Sequence, residues 1–344
     1  MDKMRLILFL FLILTLPINA KTIDKISLGS CLSQDKPQPI WDPIINEKSD
    51  IFIFMGDNVY GDDKKTGNTN KLKRSYIKQK KKIPFKDLSK TNELLAIWDD
   101  HDFGKNDGGY EYKYKDEAKR LFLDFWEVPV NDKRRQRSGL YFEIKKDIQG
   151  GVLQIIFLDT RYFKSTFKAT DKRNAPLKER YVNDLDSSKT ILGEEQWNWL
   201  SQKLKENVNV RIIVSSIQII AEGHGFEKWG LLPLEKQKLY NLIDGNSLIN
   251  TIIISGDRHA GGIYKDTTLS GKNIYELTSS SLNLPGGAWA SRYKNRPPEP
   301  GPNRVDELYV WENYGLIEFI EDDIVNLSLK DIKGKNINQI QFNY

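Results

Sequence analysis

The stretch IFIFMGDNVYGDD, residues 51–63, decides how this chain is read. Five apolar residues, Ile51 to Met55, run directly into Gly56, Asp57 and Asn58, with Tyr60, Asp62 and Asp63 close behind. An unbroken apolar run of this length suits a strand buried on both faces, in a sheet covered by helices. Gly-Asp-Asn is ordinary turn chemistry. A solvated turn explains one such event, but not its recurrence along the chain.

The event recurs on both sides of this segment. DKISLGSC stops at Gly29, Ser30 and Cys31, and NELLAIWDDHD stops at Asp99, Asp100, His101 and Asp102. VLQIIFLDTRY ends at Asp159, Thr160 and Arg161, VRIIVSSIQ at Ser215, Ser216 and Gln218, and NTIIISGDRHAGG at Asp257, Arg258 and His259. Helical spacing falls between several of these runs: Ala118, Leu121, Phe122 and Phe125 in one, Trp197, Leu200 and Leu204 in another. Glu194 and Glu195 sit in a first turn, where acids favour the helix dipole, and Gly245 reads as a C-cap. YGLIEFIEDDIVNLSLKDIKGKNI alternates apolar and polar residues, as a half-buried antiparallel hairpin or small sheet does. The fold class is therefore α/β with added strands, in simplest form a single doubly wound sheet. Ligands of such folds bind at the C-terminal strand ends. Gathered on one rim, aspartate, asparagine, histidine, tyrosine, one cysteine and arginine amount to a metal site with a phosphate clamp. The Pro-rich, charged segment 293–307 reads as an exposed loop near that rim or a boundary.

The 344 residues suffice for one large domain or two small ones. Residues 1–20 carry a short charged start, an apolar run from Leu6 to Leu16 and a small residue at Ala20, the pattern of a secretory signal peptide cleaved near Ala20. No lipobox cysteine follows, so the expectation is a secreted or periplasmic soluble protein, with residues 21–344 as one domain. The formal charge of +5 is concentrated in KLKRSYIKQKKK, residues 71–82, which reads as a solvated helix face. It lacks the repeated aromatics of a single-strand nucleic-acid platform, so no stable nucleic-acid partner is expected. The same run, with Trp229 and Trp289, offers contact to a membrane surface. Cys31 is the only cysteine. It cannot form an internal disulfide and is a buried hydrophobe, an intermolecular thiol or a metal ligand.

GSC at 29–31, GDNVYGD at 56–62, WDDHDFGKND at 98–107, FLDTRY at 157–162, LGEEQWNWL at 192–200 and SGDRHAGG at 255–262 together resemble the alkaline phosphatase D (PhoD-like) family of calcineurin-like metallophosphatases. The resemblance implies a two-layer β sandwich flanked by helices, with C-terminal antiparallel strands, in place of a single sheet. The N-terminal β domain of larger bacterial relatives is expected to be missing. GDNVY also resembles the element of purple acid phosphatases in which an aspartate bridges two metals and a tyrosinate binds ferric iron. By resemblance, Cys31, Asp57, Tyr60, Asn106, Asp257 and His259 are metal ligands for Fe3+ and Ca2+, Asn106 serving the second ion, and Arg258 contacts phosphate. With only three histidines, at 101, 224 and 259, a histidine-rich centre is impossible, and the oxygen-rich remainder suits a hard cation. His224 lies in a loop, residues 221–230, that resembles a family loop near the site.

Two cations neutralise a phosphate ester and ionise a water for in-line attack, and one carboxylate must bridge them. Asp57 is the candidate. Adjacent residues at a strand end cannot all face one site. Asp100 is expected to orient a ligand and His101 to protonate the leaving oxygen, with Asp99 or Asp102 capping the next turn. Arg161 either clamps phosphate or ties Asp159 into a structural pair. The expected activity is hydrolysis of phosphomonoesters or phosphodiesters. A lipid-directed phosphodiesterase and a noncatalytic phosphate-binding protein on the same fold are the alternatives. Oligomeric state is not legible.

Overall fold

All six apolar runs are strands, and they divide equally between two sheets in a computed structural model that describes residues 22–245, 249–290, 299, 301–321 and 323–344. β1 (Lys25–Gly29), β2 (Ile51–Met55) and β3 (Glu93–Ile97) run parallel in the first sheet, with Leu28 opposite Ile53 and Ile53 opposite Leu95. The second sheet takes the next strands of the chain: β4 (Phe142–Ile148), β5 (Gly151–Phe157), β6 (Val210–Ser215), β7 (Asn250–Ser255), β8 (Gly261–Thr267), β9 (Asn273–Ser279) and β10 (Arg304–Tyr309). Its order is β10-β8-β9-β7-β6-β5-β4, and β5, β6, β7 and β9 are mutually parallel.

β11 (Asn313–Ile320), β12 (Ile324–Asp331) and β13 (Asn336–Asn343) form the expected antiparallel run. They are not a separate small sheet. β11 pairs antiparallel with β1, which extends the first sheet to β13-β12-β11-β1-β2-β3. Joining a sandwich interior buries most of β11, so the half-buried expectation holds only for its far end and for β13.

Burial follows the period-2 geometry of strands. Leu153, Ile155, Phe157, Val210, Ile212, Val214, Ile252 and Ile254 join the cluster that holds Leu28, Ile53 and Ile317 of the first sheet. The alternate residues Ile156, Ile213 and Ile253 pack instead with Trp197, Leu200 and Leu239 of helices Gly193–Lys203 and Pro233–Asp244. Outside the first sheet, Phe52 and Phe54 meet Trp41 (ring centroids 5.5 and 5.9 Å), and Phe54 meets Trp126 at 4.9 Å. Burying each such ring stabilises by about 1.5–3 kcal/mol, so the apolar runs fix both layers at once. A single doubly wound sheet is thereby replaced by the two-layer sandwich.

Residues 1–20 lie outside the described residues, and among the described residues no helix is long and apolar enough to cross a membrane. The lysine-rich segment forms helix Asn70–Lys80, which buries Leu72 and Tyr76 and leaves most of its cations in solvent. Trp229 is fully buried beside Trp197, so it is no surface anchor; the side chain of Trp289 lies outside the described residues. Gly245 does follow helix Pro233–Asp244 as its cap, but at φ −60°, without the left-handed turn that makes glycine necessary.

Candidate metal centre

The two Gly-Asp steps, at the ends of β2 and β7, bring the sheets together at one rim. Gly56 has φ +101°, and a Cβ there would lie 2.4 Å from the Cβ of Asp99. A Cβ on Gly256 would lie 2.6 Å from Ser30 Oγ. Only glycine permits these approaches. The residues that follow are bent sharply into the rim. Cys31, Asp57, Asp257 and His259 have φ of 58°, 51°, 63° and 54°, the left-handed region in which each non-glycine residue costs about 1–3 kcal/mol. The Arg258 N–H donates to Gly256 O at 2.7 Å, closing a three-residue turn about Asp257. Four of the six ligands expected from sequence thus sit in strained backbone at strand ends, held there by the sandwich.

One corner of the centre mixes donor types. Asp57 Oδ2 lies 3.5 Å from Cys31 Sγ and accepts from the Tyr60 hydroxyl at 3.0 Å. Cys31, Asp57 and His259 offer ligand atoms within 4.8 Å of one another. The His259 ring is oriented by a backbone carbonyl: Nδ1 faces Leu284 O at 2.6 Å. A carbonyl oxygen only accepts, so Nδ1 carries the hydrogen and Nε2 the lone pair that a cation uses.

The neighbouring corner is all carboxylate. Asp99, Asp100 and Asp257 form one close group, Asp57, Asp100 and His101 a second, and Asp100, Asp107 and Glu227 a third. Asp57 and Asp100 therefore link the corners. Asp100 Oδ2 accepts from Asp107 N at 2.6 Å, whereas its buried Oδ1 and Asp99 Oδ2 have no hydrogen-bond partner among the described residues. Orphaned buried carboxylate oxygens are costly unless a cation takes them up, and this donor set fits a hard ion. Asp100 is accordingly placed as a ligand candidate itself, beyond the orienting role expected for it.

His101 stacks on Tyr60 at 4.2 Å, and its Nδ1 meets Asp62 Oδ1 at 2.5 Å. Burial alone lowers its pKa, but Asp100, Asp57 and Asp62 outweigh this and push it up to about 10. Burial pushes the Cys31 thiol up to about 12 and raises the carboxyls of Asp57 and Asp257 well above the usual range. Burial also holds His259 down at about 4, hence neutral. Anionic donors crowded in a dry rim resist ionisation until positive charge arrives. Cys31, Asp57, Tyr60 and His259 fit a ferric ion by donor type, and the carboxylate corner fits calcium.

Arg161 is fully buried, with Nε 2.5 Å from Asp99 Oδ1 and Nη1 2.7 Å from Glu227 Oε2. It orients two carboxylates of the site, which corrects its assignment as a substrate clamp; its guanidinium does not pair with Asp159, which accepts from Trp98 Nε1 and the backbone of Leu140. Asp99 and Asp102 form the expected capping box at the start of helix Asp100–Phe103, Asp102 accepting from Asp99 N at 2.6 Å, and Asp99 Oδ1 also accepts from Arg161 and Ser216. His224 faces Gln218 and Phe226 N with its two ring nitrogens and stands outside the close ligand groups found among the described residues. Asn106 donates to Asp107 at 2.7 Å and lines the cavity beside the centre. Arg258 lies 4.7 Å over the Phe226 ring and pairs with Glu299, the described residue of the Pro-rich segment nearest the rim. Sequence reading missed Asp62, Asp107 and Glu227 as site residues. Asp107 adjoins Asn106, and Glu227 sits in the 221–230 loop, so both lay within noted blocks.

A family model described as PhoD-like phosphatase matches residues 30–310. No curated protein matches the chain. Among solved structures, the chain is similar to one described as PhoD, at 14% identity and TM-score 0.69, covering 93% of this chain and 72% of that one. It is also similar to the purple acid phosphatase PPD1 from yellow lupin (Lupinus luteus) seeds, at 11% identity and TM-score 0.59, covering 94% of this chain but only 54% of the lupin chain. At these identities the two structures speak for the fold.

Proposed function

From its membership of the PhoD-like phosphatase family, which makes this chain a metal-dependent phosphoesterase, we propose that it hydrolyses phosphomonoesters or phosphodiesters at a mixed Fe3+ and Ca2+ centre after export. The observation that carries this reading is the position of Asp57. One oxygen faces Cys31 and Tyr60; the other accepts from His101 N at 3.2 Å, on the side of the carboxylate corner. A carboxylate so placed belongs to both corners.

When bound, the pair of cations supplies charge neutralisation and an ionised water. The chain supplies the rest. Cys31, Tyr60, Asp57 and His259 would hold the first ion. Asp57, Asp100, Asp257 and Asn106, with Asp99 beside them, would hold the second. Arg161 fixes Asp99 and Glu227 from behind. Arg258 takes the phosphate charge, for which its exchange from Glu299 is required. His101, gripped by Asp62, delivers a proton to the leaving oxygen. The products are the phosphate, which has gained the oxygen of water, and the alcohol, whose oxygen takes the proton as its bond to phosphorus breaks. Burial of Trp229 removes one motive for the lipid-directed alternative.

The test is turnover of 4-nitrophenyl phosphate and bis(4-nitrophenyl) phosphate by protein supplied with iron and calcium. Hydrolysis of at least one ester, abolished by a chelator and restored by the two metals, is expected. Full activity in the presence of chelator would overturn the metal-dependent reading. Metal binding with neither ester turned over would favour the noncatalytic alternative.

A further inference from the structure

A cavity of about 630 Å³ opens beside the centre, and two of its lining residues touch the reaction machinery directly. Asp62 holds His101 Nδ1, and Asp107 donates its N–H to Asp100. Whatever alcohol His101 protonates on leaving therefore has this cavity as the space next to it. The wall is charged in a lopsided way. Its carboxylates are all committed: Asp62 to His101, Asp63 to Thr66 and Lys65 N, Asp107 to Arg180 and Tyr181, and Glu111 to Lys105 at 2.9 Å. Three of its five cations are not, Lys105 and Arg180 being the paired ones. Among the described residues Lys64 and Arg173 pair with no carboxylate and are exposed, and Lys113 rests only over the Tyr114 ring at 4.8 Å. Arg180, held by two contacts of 2.8 and 2.9 Å to Asp107, presents a fourth cation with its side chain 37% exposed. Carboxylates already satisfied and cations left over make the wall complementary to an anion.

We infer that this cavity is a leaving-group subsite for alcohols that carry a second negative charge, so that the preferred substrates are phosphate esters whose leaving alcohol is itself phosphorylated. The inference rests on the phosphoesterase reading and adds to it the class of leaving group. The reaction balances as simple hydrolysis: water oxygen joins phosphorus, the P–O bond to the alcohol breaks, and the alcohol oxygen takes the proton, while the far phosphate stays untouched against Lys64, Lys113 and Arg173.

The test uses the metal-loaded enzyme and two matched probes. In one the leaving alcohol is propane-1,3-diol; in the other it is propane-1,3-diol with its far oxygen phosphorylated. Each is supplied as the phosphomonoester and as the methyl phosphodiester. In the better-turned-over class, kcat/KM favours the phosphorylated leaving group by about tenfold, most of it in KM, the size expected of a few exposed charge contacts. The preference shrinks at 0.5 M salt because screening acts on exposed charges. In the double variant Lys64→Glu, Arg173→Glu the ratio falls to one or below; both side chains are exposed, so the fold is unaffected. Equal kcat/KM for the two probes, or a preference that survives the double variant, overturns the subsite. Turnover of none of the four probes overturns the phosphoesterase reading and the subsite with it.

Discussion

The two corners of the centre are built by different means from the same kind of strand end. The mixed corner draws a thiol, a phenol, an imidazole and a carboxylate from β1, β2 and β7, and Cys31, Asp57 and His259 there have left-handed backbone. The carboxylate corner draws Asp99 and Asp100 from the end of β3 and adds Asp257, and a fully buried Arg161 holds Asp99 in place. The first corner is specified by donor chemistry, the second by charge accumulated and then balanced. Polarisable and phenolate donors select a transition ion; a cage of carboxylates selects by hardness and charge. Two unlike corners sharing Asp57 are the ground for the two unlike ions of the proposed function.

The largest expected effect comes from removing the shared member. Asp57→Asn lowers kcat/KM by at least about a thousandfold and costs both ions, because a neutral amide is a poor bridge between cations. Steady-state kinetics with elemental analysis checks this, and normal turnover with both ions retained would break the comparison. Next come variants that separate the corners. Asp100→Asn loses calcium and keeps iron, whereas Cys31→Ser loses iron and keeps calcium, each lowering activity by about a hundredfold. If either variant sheds both ions equally, the corners are not distinct. Arg258→Ala is smaller still: about tenfold in kcat/KM with both metals in place, since the guanidinium acts on substrate charge. Loss of metal in that variant would make Arg258 a structural residue. The smallest effect on rate, and the sharpest on spectrum, belongs to Tyr60→Phe. It deletes the phenolate and keeps the ring, so the visible band of the iron-loaded protein shifts or bleaches while the melting temperature changes little. An unchanged spectrum would strike Tyr60 alone from the ligand set.

How much of this was legible in the sequence differs between the same two regions. Asp57, Tyr60, Asp257 and His259 stand in short blocks directly after apolar runs, where strand-end logic finds them. Assignment of three runs to each sheet was not legible from periodicity, because a strand buried on both faces reads alike in either layer; the family resemblance gave two layers but not which runs enter which. In DDHD, four consecutive polar residues point in different directions, and the choice depends on the turn. Asp99 and Asp102 close on each other as a capping box, and the Asp99 carboxylate meets Arg161 as well. Glu227 reaches Arg161 across 66 residues of chain, a contact that no local pattern encodes. Trp229 misled because a tryptophan beside charged residues looks exposed until Trp197 covers it.

The central claim is that one chain holds two different ions on a shared aspartate, and metal content of the purified protein tests it most directly. Elemental analysis of protein purified with iron and calcium available is expected to give about one iron and one calcium per chain, with a visible colour from thiolate and phenolate donation to Fe(III). A colourless, fully active protein that contains only zinc would contradict the claim, since Zn2+ has a filled d shell and gives no such band.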